Sequence, residues 1–196
     1  MKTIAVILAA GASERMGLPK ALLALDGKSF VGALAHTFAR AGCQVLVVAG
    51  RDGRLLRESR LQLEVVPNRR WRQGMFGSVR VGLRAALARG ADVVLVHPVD
   101  APRLRSATVR SLVKALRRAD AAIPSYRGRT GHPLVLSHAA ARAILSMRGV
   151  PHLEAAWGRL SAKVVPTRDA GVSLNVNTPA AYRALAGRSP TLAVGK

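Results

Sequence analysis

Thirteen residues near the start of the chain, Leu8-Ala9-Ala10-Gly11-Ala12-Ser13-Glu14-Arg15-Met16-Gly17-Leu18-Pro19-Lys20, carry the densest chemistry in the sequence. They follow a short apolar run. Gly11 and Gly17 let the backbone bend and approach a ligand closely. Small residues at 9, 10 and 12 keep side chains out of that approach, so backbone N–H groups can cradle phosphate oxygens. Arg15 can fork two donors onto a polyphosphate. Lys20 offers a compact point charge for the phosphate that reacts. The stretch is neither a Walker A loop nor a Rossmann G-x-G-x-x-G. A strand-to-helix turn with surface cations is the plainer reading. Glycine, then Arg four residues on and Lys nine residues on, argues for the phosphate loop.

Two further stretches bear on the same chemistry. Asn68 to Val79 ends Gln73-Gly74-Met75-Phe76-Gly77-Ser78-Val79. Gly74 and Gly77 permit close approach, and the N-terminus of a following helix favours an anion. Ser78 either helps hold a ligand or merely caps that helix. His97-Pro98-Val99-Asp100-Ala101-Pro102 puts a carboxylate just past a strong apolar run. A carboxylate there can hold Mg²⁺, a hard cation bound through one or two carboxylates plus substrate phosphates. The alternative is a turn Asp that bonds its own backbone. His97 reads as a core histidine or as a group supporting Asp100.

The elements that must position these residues follow from periodicity. Ile4–Ala10, Val45–Ala49, Leu63–Val66 and Val93–His97 read as strands buried on both faces. Between them Ser29–Ala41, Asp52–Arg60 and Ser78–Arg89 read as helices, with Gly42 and Gly90 as left-handed C-terminal caps. Ser106–Ala119 reads as a helix with Ser106 as N-cap. Beyond it, Ala121–Pro124, Pro133–Leu136, Ala162–Pro166 and Val172–Val176 read as strands, and 138–147 and 151–159 as helices. Thr178-Pro179 opens a last helix, with Pro at its first position. The alternation predicts an α/β fold: a Rossmann-like three-layer sandwich, its mainly parallel sheet covered by helices on both faces. Residues 1–187 form one expected domain and 188–196 a frayed, flexible tail. In such sheets ligands sit beyond the carboxyl ends of the strands.

The loop resembles the nucleotidyltransferase signature L-A-[AG]-G-x-S-x-R-M-G-x-x-K, matched at Leu8, Ala9, Gly11, Ser13, Arg15, Met16, Gly17 and Lys20. It is most similar to the molybdenum cofactor cytidylyltransferase and guanylyltransferase type, the MobA-like NTP transferase domain. The resemblance runs from residue 3 to about residue 186. It implies a fold of the nucleotide-diphospho-sugar transferase type. It also implies that Leu8, Ala9, Ala10, Gly11, Ser13, Arg15, Lys20, Asn68, Gly74 and Ser78 bind nucleotide, and that Arg15, Lys20 and Asp100 are catalytic. Gly131-His132-Pro133 matches the acceptor segment of the molybdopterin branch, or is a turn into the next strand. Asn175-Val176-Asn177-Thr178-Pro179 stands where the family often reads D-x-D-T-P or N-x-N-T-P. Here a second carboxylate is missing. Asn177 either reaches the metal beside Asp100 through its amide oxygen or orders water near it.

The implied reaction is attack by an acceptor phosphate oxygen on the α-phosphorus of a nucleoside triphosphate, with Mg²⁺ as cofactor and pyrophosphate as leaving group. No Ser–His–Asp or Cys–His arrangement stands out to supply a protein nucleophile. Leu-Ala-Ala-Gly is the form of the cytidylyl branch, and a methyl at residue 10 narrows the space near the base. CTP and molybdopterin are therefore expected, with GTP or a sugar or alcohol phosphate as alternatives. A non-catalytic nucleotide- or cofactor-binding relative is the further rival.

Composition bounds these readings. The 196 residues include 25 Arg and 6 Lys, and the net charge is +21, which favours an anionic partner. The basic residues are spread along the chain, and only 4% of residues are aromatic, against the base-stacking surfaces of single-strand binders. Nucleic acid is thus not the expected partner. The lone Cys43 excludes an internal disulfide and, with the rest, suggests a reducing cytoplasm. The first apolar run is short for a signal peptide, and the phosphate pattern after it favours a buried strand. No run is long enough to span a membrane. The sequence leaves the oligomeric state open.

Overall fold

The computed structural model describes every residue except Arg60, Arg118 and residues 194–196. The opening run forms β1 (Thr3–Ala9), buried along its whole length. Its side chains alternate between two cores, as a strand's period of two requires. Ala5, Ile7 and Ala9 face one core with α1 (Phe30–Arg40), whose Phe30, Leu34 and Phe38 are fully buried. Ile4, Val6 and Leu8 face the other with α3 (Met75–Ala88), through Val79, Leu83 and Ala86. This double burial is why β1 reads as one unbroken apolar run.

Parallel pairing places β4 (Gln44–Ala49) on one side of β1 and β6 (Val93–Pro98) on the other. β5 (Glu64–Pro67) extends the β4 side. The chain therefore runs outward from β1 to β4 and β5, then crosses back to β6. The crevice between β1 and β6 is where successive connections leave in opposite directions, the place where such sheets bind ligands. β7 (Ala121–Tyr126), β9 (Leu134–Ser137) and β10 (Ala162–Pro166) complete the far half, in the order β10-β7-β9-β6-β1-β4-β5. β9 is antiparallel to both its neighbours, and β8 (Arg129–Thr130) hairpins onto β7. A two-stranded ribbon, β2 (Ala24–Leu25) with β3 (Lys28–Ser29), lies outside the sheet.

The remaining helices are α2 (Gly53–Glu58), α4 (Ser106–Ala115), α5 (His138–Ser146), α6 (Leu153–Trp157) and α7 (Pro179–Ala186). Val109 and Leu112 of α4 and Tyr182 of α7 join the core of α1, whereas α5 and α6 pack beside α3. The three-layer α/β expectation holds. Thr178 caps α7 through its hydroxyl, which accepts from Ala181 N at 3.2 Å. Gly42 and Gly90 take φ of 85° and 74°, the left-handed stops the sequence called for.

Several expectations are corrected. Val172–Val176 is no strand: Ala170–Ser173 is a short 3-10 turn, with extended chain after it. β10, expected as a strand, forms that edge of the sheet. β5 is an edge strand with Glu64 exposed, not a run buried on both faces. The helix expected at Asp52–Arg60 ends at Glu58, with Arg60 outside the described residues. Ser106 does not cap α4. Asp169 instead ties down the amino end of the helix from across the chain, its carboxylate accepting from Arg105 N at 2.9 Å and Thr108 Oγ1 at 2.8 Å. Within the expected frayed end, Thr191 and Ala193 bond the backbone of Ala24 and Leu22.

Gly82 of α3 lets that helix lie directly on the sheet: a Cβ there would stand 2.3 Å from Val6 Cγ1 and 3.1 Å from Val48 Cγ2. Gly82→Ala should therefore destabilise the protein by about 1–3 kcal/mol through overpacking. Urea denaturation measures this, and an unchanged midpoint would show that α3 can shift away freely.

Candidate active site

Four parallel strands, β5, β4, β1 and β6, end side by side, and the segments that leave them enclose a cavity of about 530 Å³. Its floor is the end of β1, Leu8 to Ala10. The loop after it contributes Gly11, Ser13 and Glu14, and Lys20 closes one wall. Asp100 follows β6, and Gly74 and Ser78 come from the start of α3.

The loop is braced from within. Ser13 takes a left-handed conformation at φ 57°, and its carbonyl accepts from Met16 N and Gly17 N at 3.0 and 3.1 Å. Its hydroxyl accepts from Lys20 N at 3.2 Å, which pulls the two ends of the loop together. The N–H groups of Ala12 and Ser13 take no partner among the described residues. Unpaired donors on a bent loop suit an anion's oxygens.

Lys20 meets two oxygens. Its ammonium lies 3.6 Å from the Asp100 carboxylate and donates to Asn177 Oδ1 at 2.5 Å. Asn177 is oriented by its own amide nitrogen, which donates to Asn175 Oδ1. Val176 N donates to the Asp100 carbonyl at 2.8 Å, so the Asp100 and Asn177 segments are tied by backbone as well. One carboxylate and one amide oxygen already share a cation here. No cluster of three or more His, Cys, Asp or Glu exists among the described residues that could hold a metal unaided. The donor set fits a hard divalent cation that arrives with phosphate oxygens and water completing its shell.

His97 supports the Asp100 turn. Its Nε2–H donates to Ala101 O at 2.9 Å, and the ring is wholly buried with Nδ1 unpartnered. Burial holds its pKa down at about 3, so the ring is neutral. Phe38 and His132 meet it edge-on, with centroids at 5.6 and 6.1 Å. Burial also lowers the pKa of His132, against the opposing pull of the nearby Asp100 charge.

Not every expected residue lines the main cavity. Arg15 and Asn177 border a smaller adjoining cleft of about 270 Å³ that shares Lys20 and the loop. Asn68 is buried behind the cavity and donates from Nδ2 to Ser78 Oγ at 2.9 Å, so it orients Ser78. Ser78 is not a cap, because α3 begins three residues earlier. Gly131, His132 and Pro133 lie off the cavity. His132 N donates to Val172 O, and Gly131 packs so tightly that a Cβ would stand 2.1 Å from that oxygen. Three residues that the sequence reading passed over line the cavity: Asp52, Trp71 and Arg72. Gly50 was the available signal for Trp71. A Cβ at Gly50 would stand 2.5 Å from Ala10 O and 2.7 Å from Trp71 Cγ, so its absence lets the indole reach the loop.

Comparison with known proteins shows the family and the fold. The family model described as the MobA-like NTP transferase domain matches residues 5–164. The nicotine blue oxidoreductase of Paenarthrobacter nicotinovorans is 34% identical over 153 residues, 72% of this chain and 74% of that protein. A molybdenum cofactor guanylyltransferase of Acidiphilium cryptum is 36% identical over 135 residues, 67% of this chain and 65% of the relative. A 2-C-methyl-D-erythritol 4-phosphate cytidylyltransferase of Streptomyces avermitilis is 36% identical over 135 residues, 63% of this chain and 54% of its own length. The crystal structure of Rv0371c from Mycobacterium tuberculosis superposes with a TM-score of 0.77 at 26% identity, covering 96% of this chain and 98% of that one. Another structure of Rv0371c is a complex with manganese, at 24% identity and a TM-score of 0.74, covering 95% of this chain and 99% of that one.

The buried His97 gives the fold an acid dependence. In the unfolded chain it takes a proton below about pH 6.5, whereas in the folded chain it stays neutral down to about 3. Stability is therefore full above pH 6.5 and falls as the pH drops toward 3. His97→Gln keeps a donor for Ala101 O but cannot titrate. Its urea midpoint should decline less steeply than wild type between pH 6.5 and 4. Equal slopes would clear His97 of that role, since His132 acts alike in both proteins.

Proposed function

The chain belongs to the MobA-like NTP transferase domain family, and from that premise we propose that it moves a nucleoside monophosphate from a nucleoside triphosphate onto a phosphorylated acceptor. The observation that carries this reading is the convergence, in one cavity at the strand ends, of a loop with unpaired N–H groups, Lys20 and Asp100. An acceptor phosphate oxygen forms a bond to the α-phosphorus while the bond from that phosphorus to the bridging oxygen of pyrophosphate breaks. No protein nucleophile is required. The loop orients the triphosphate, and such placement supplies roughly 7–11 kcal/mol of a barrier. Lys20 and Arg15 stabilise charge on the α-phosphate and the departing pyrophosphate. Asp100 and Asn177 would hold Mg²⁺, which when bound neutralises the phosphates as they meet. The acceptor approaches, in this reading, from the Asp100 side, where His132 lies; molybdopterin is the acceptor favoured.

CTP is the favoured donor. Ala10 lines the cavity, and its methyl narrows the space that a purine would need. The relatives include both a guanylyltransferase and a cytidylyltransferase. The deciding assay is a panel of CTP, GTP, ATP and UTP with Mg²⁺ and molybdopterin, scored by pyrophosphate release. A second reading, binding of nucleotide or cofactor without transfer, draws support from the relative named an oxidoreductase and from Asn in place of a second carboxylate. Saturable triphosphate binding with no pyrophosphate from any pair would favour it.

Asp100→Ala should abolish turnover while circular dichroism stays that of wild type; near-normal turnover would remove Asp100 from the mechanism. Lys20→Ala should raise the barrier by roughly 2–4 kcal/mol, as losses of preorganised charge do, read from kcat/KM. Ala10→Gly should shift the kcat/KM ratio of CTP to GTP toward GTP by about tenfold, the scale of one methyl-sized change in a pocket. An unchanged ratio would separate residue 10 from base choice.

A further inference from the structure

Of the two tryptophans, Trp71 lines the cavity, whereas Trp157 belongs to α6, against the far core. Trp71 is held in place from two sides. Gly50, having no Cβ, leaves room for the root of the Trp71 side chain to pack on the residue after β4. The Arg72 guanidinium stacks on the ring at 4.5 Å from its centroid. Met75, the first residue of α3, stands beside it on the cavity wall, 59% exposed. An aromatic ring, a planar cation and a bare thioether on the wall of one cavity are groups that gain by being covered with a flat heterocycle.

Position supports the same occupant. Trp71 packs on the residue after β4, and Asp100 follows β6. β4 and β6 flank β1 on opposite sides, so the ends of those two strands lie roughly 10 Å apart across two inter-strand spacings. A nucleoside spans such a gap between its base and its α-phosphate.

We propose that Trp71, backed by Arg72, is the stacking platform for the nucleobase and sets how tightly a nucleotide binds relative to its bare phosphate chain. The proposal rests on the nucleotide reading above. A stacked aromatic face accepts any base, so Trp71 supplies affinity while the choice between bases is left to residue 10.

The test uses the full chain with Mg²⁺ and three probes: CTP, GTP and inorganic tripolyphosphate, which has no base. In a Trp157→Phe background, where Trp71 is the one remaining indole, CTP or GTP should quench the fluorescence and tripolyphosphate should not. By calorimetry, Trp71→Ala should weaken both nucleotides about tenfold or more, the range of base–aromatic stacking, and leave tripolyphosphate unchanged. Trp71→Phe should recover most of the loss. Nucleotide affinity equal to wild type in Trp71→Ala would overturn the platform while leaving nucleotidyl transfer intact. Equal weakening of tripolyphosphate would overturn it too, marking Trp71 as a support of the loop. Failure of the wild-type chain to bind any of the three probes would instead sink the nucleotide reading itself, and the platform with it.

Discussion

One ammonium group joins the ends of this chain. Lys20 sits at the close of the first loop, yet its Nζ is shared by Asp100, at mid-chain, and by Asn177, 157 residues away. The loop could bend without it, because Ser13 braces the turn locally. The loop's relation to the β6 end and to the segment before α7 is set at this point. All three groups are largely shielded, so the attraction is less screened than between surface charges. In the proposed reaction phosphate would give Lys20 an alternative partner, and a divalent cation would give Asp100 an alternative charge. The observed arrangement is a clasp between three segments of the chain.

The surrounding fold explains why the clasp lands there. β1 must be buried on both faces, so it occupies the middle of the sheet. Its neighbours β4 and β6 then deliver their following segments to its two flanks. Asp52, after β4, and Asp100, after β6, reach the same cavity from opposite sides for that reason, and the segment after β5 brings Trp71 in beside Asp52's strand. The tight packing of Gly131 on the Val172 carbonyl and the bond from Val176 N to the Asp100 carbonyl extend the fixed region toward His132. Neutral, buried His97 anchors the turn beneath Asp100 with a single donor.

Much of this was legible in the sequence, and the rest was hidden for identifiable reasons. The parallel strands at the cavity, the loop, the α/β class and the Gly42, Gly90 and Thr178 signals follow from local pattern, and local pattern is what a sequence displays. The strand expected at Val172–Val176 fails because its apolar residues bury against the core from a turn, and apolar runs do not distinguish the two. Ser106 is a reasonable cap by type, but the bonds that hold this helix end come from Asp169 through tertiary approach, which no spacing reveals. Trp71 and Asp52 escaped notice because each enters the site only through the packing of neighbouring loops. Asn68, expected to bind nucleotide, is buried and donates to Ser78, a placement that depends on which way one side chain points.

The Asp169 tie has a further consequence for how the molecule is made. The four strands that end at the cavity lie within the first hundred residues, and chains emerging from a ribosome organise from that end. Yet the helix that covers one flank of the sheet has its amino end tied by a carboxylate some sixty residues downstream. The last oxygen to meet Lys20 arrives later still. A nascent chain can thus assemble its central strands early while its binding loop is still slack. The grip tightens only once the final segment has been released and folds back across the sheet.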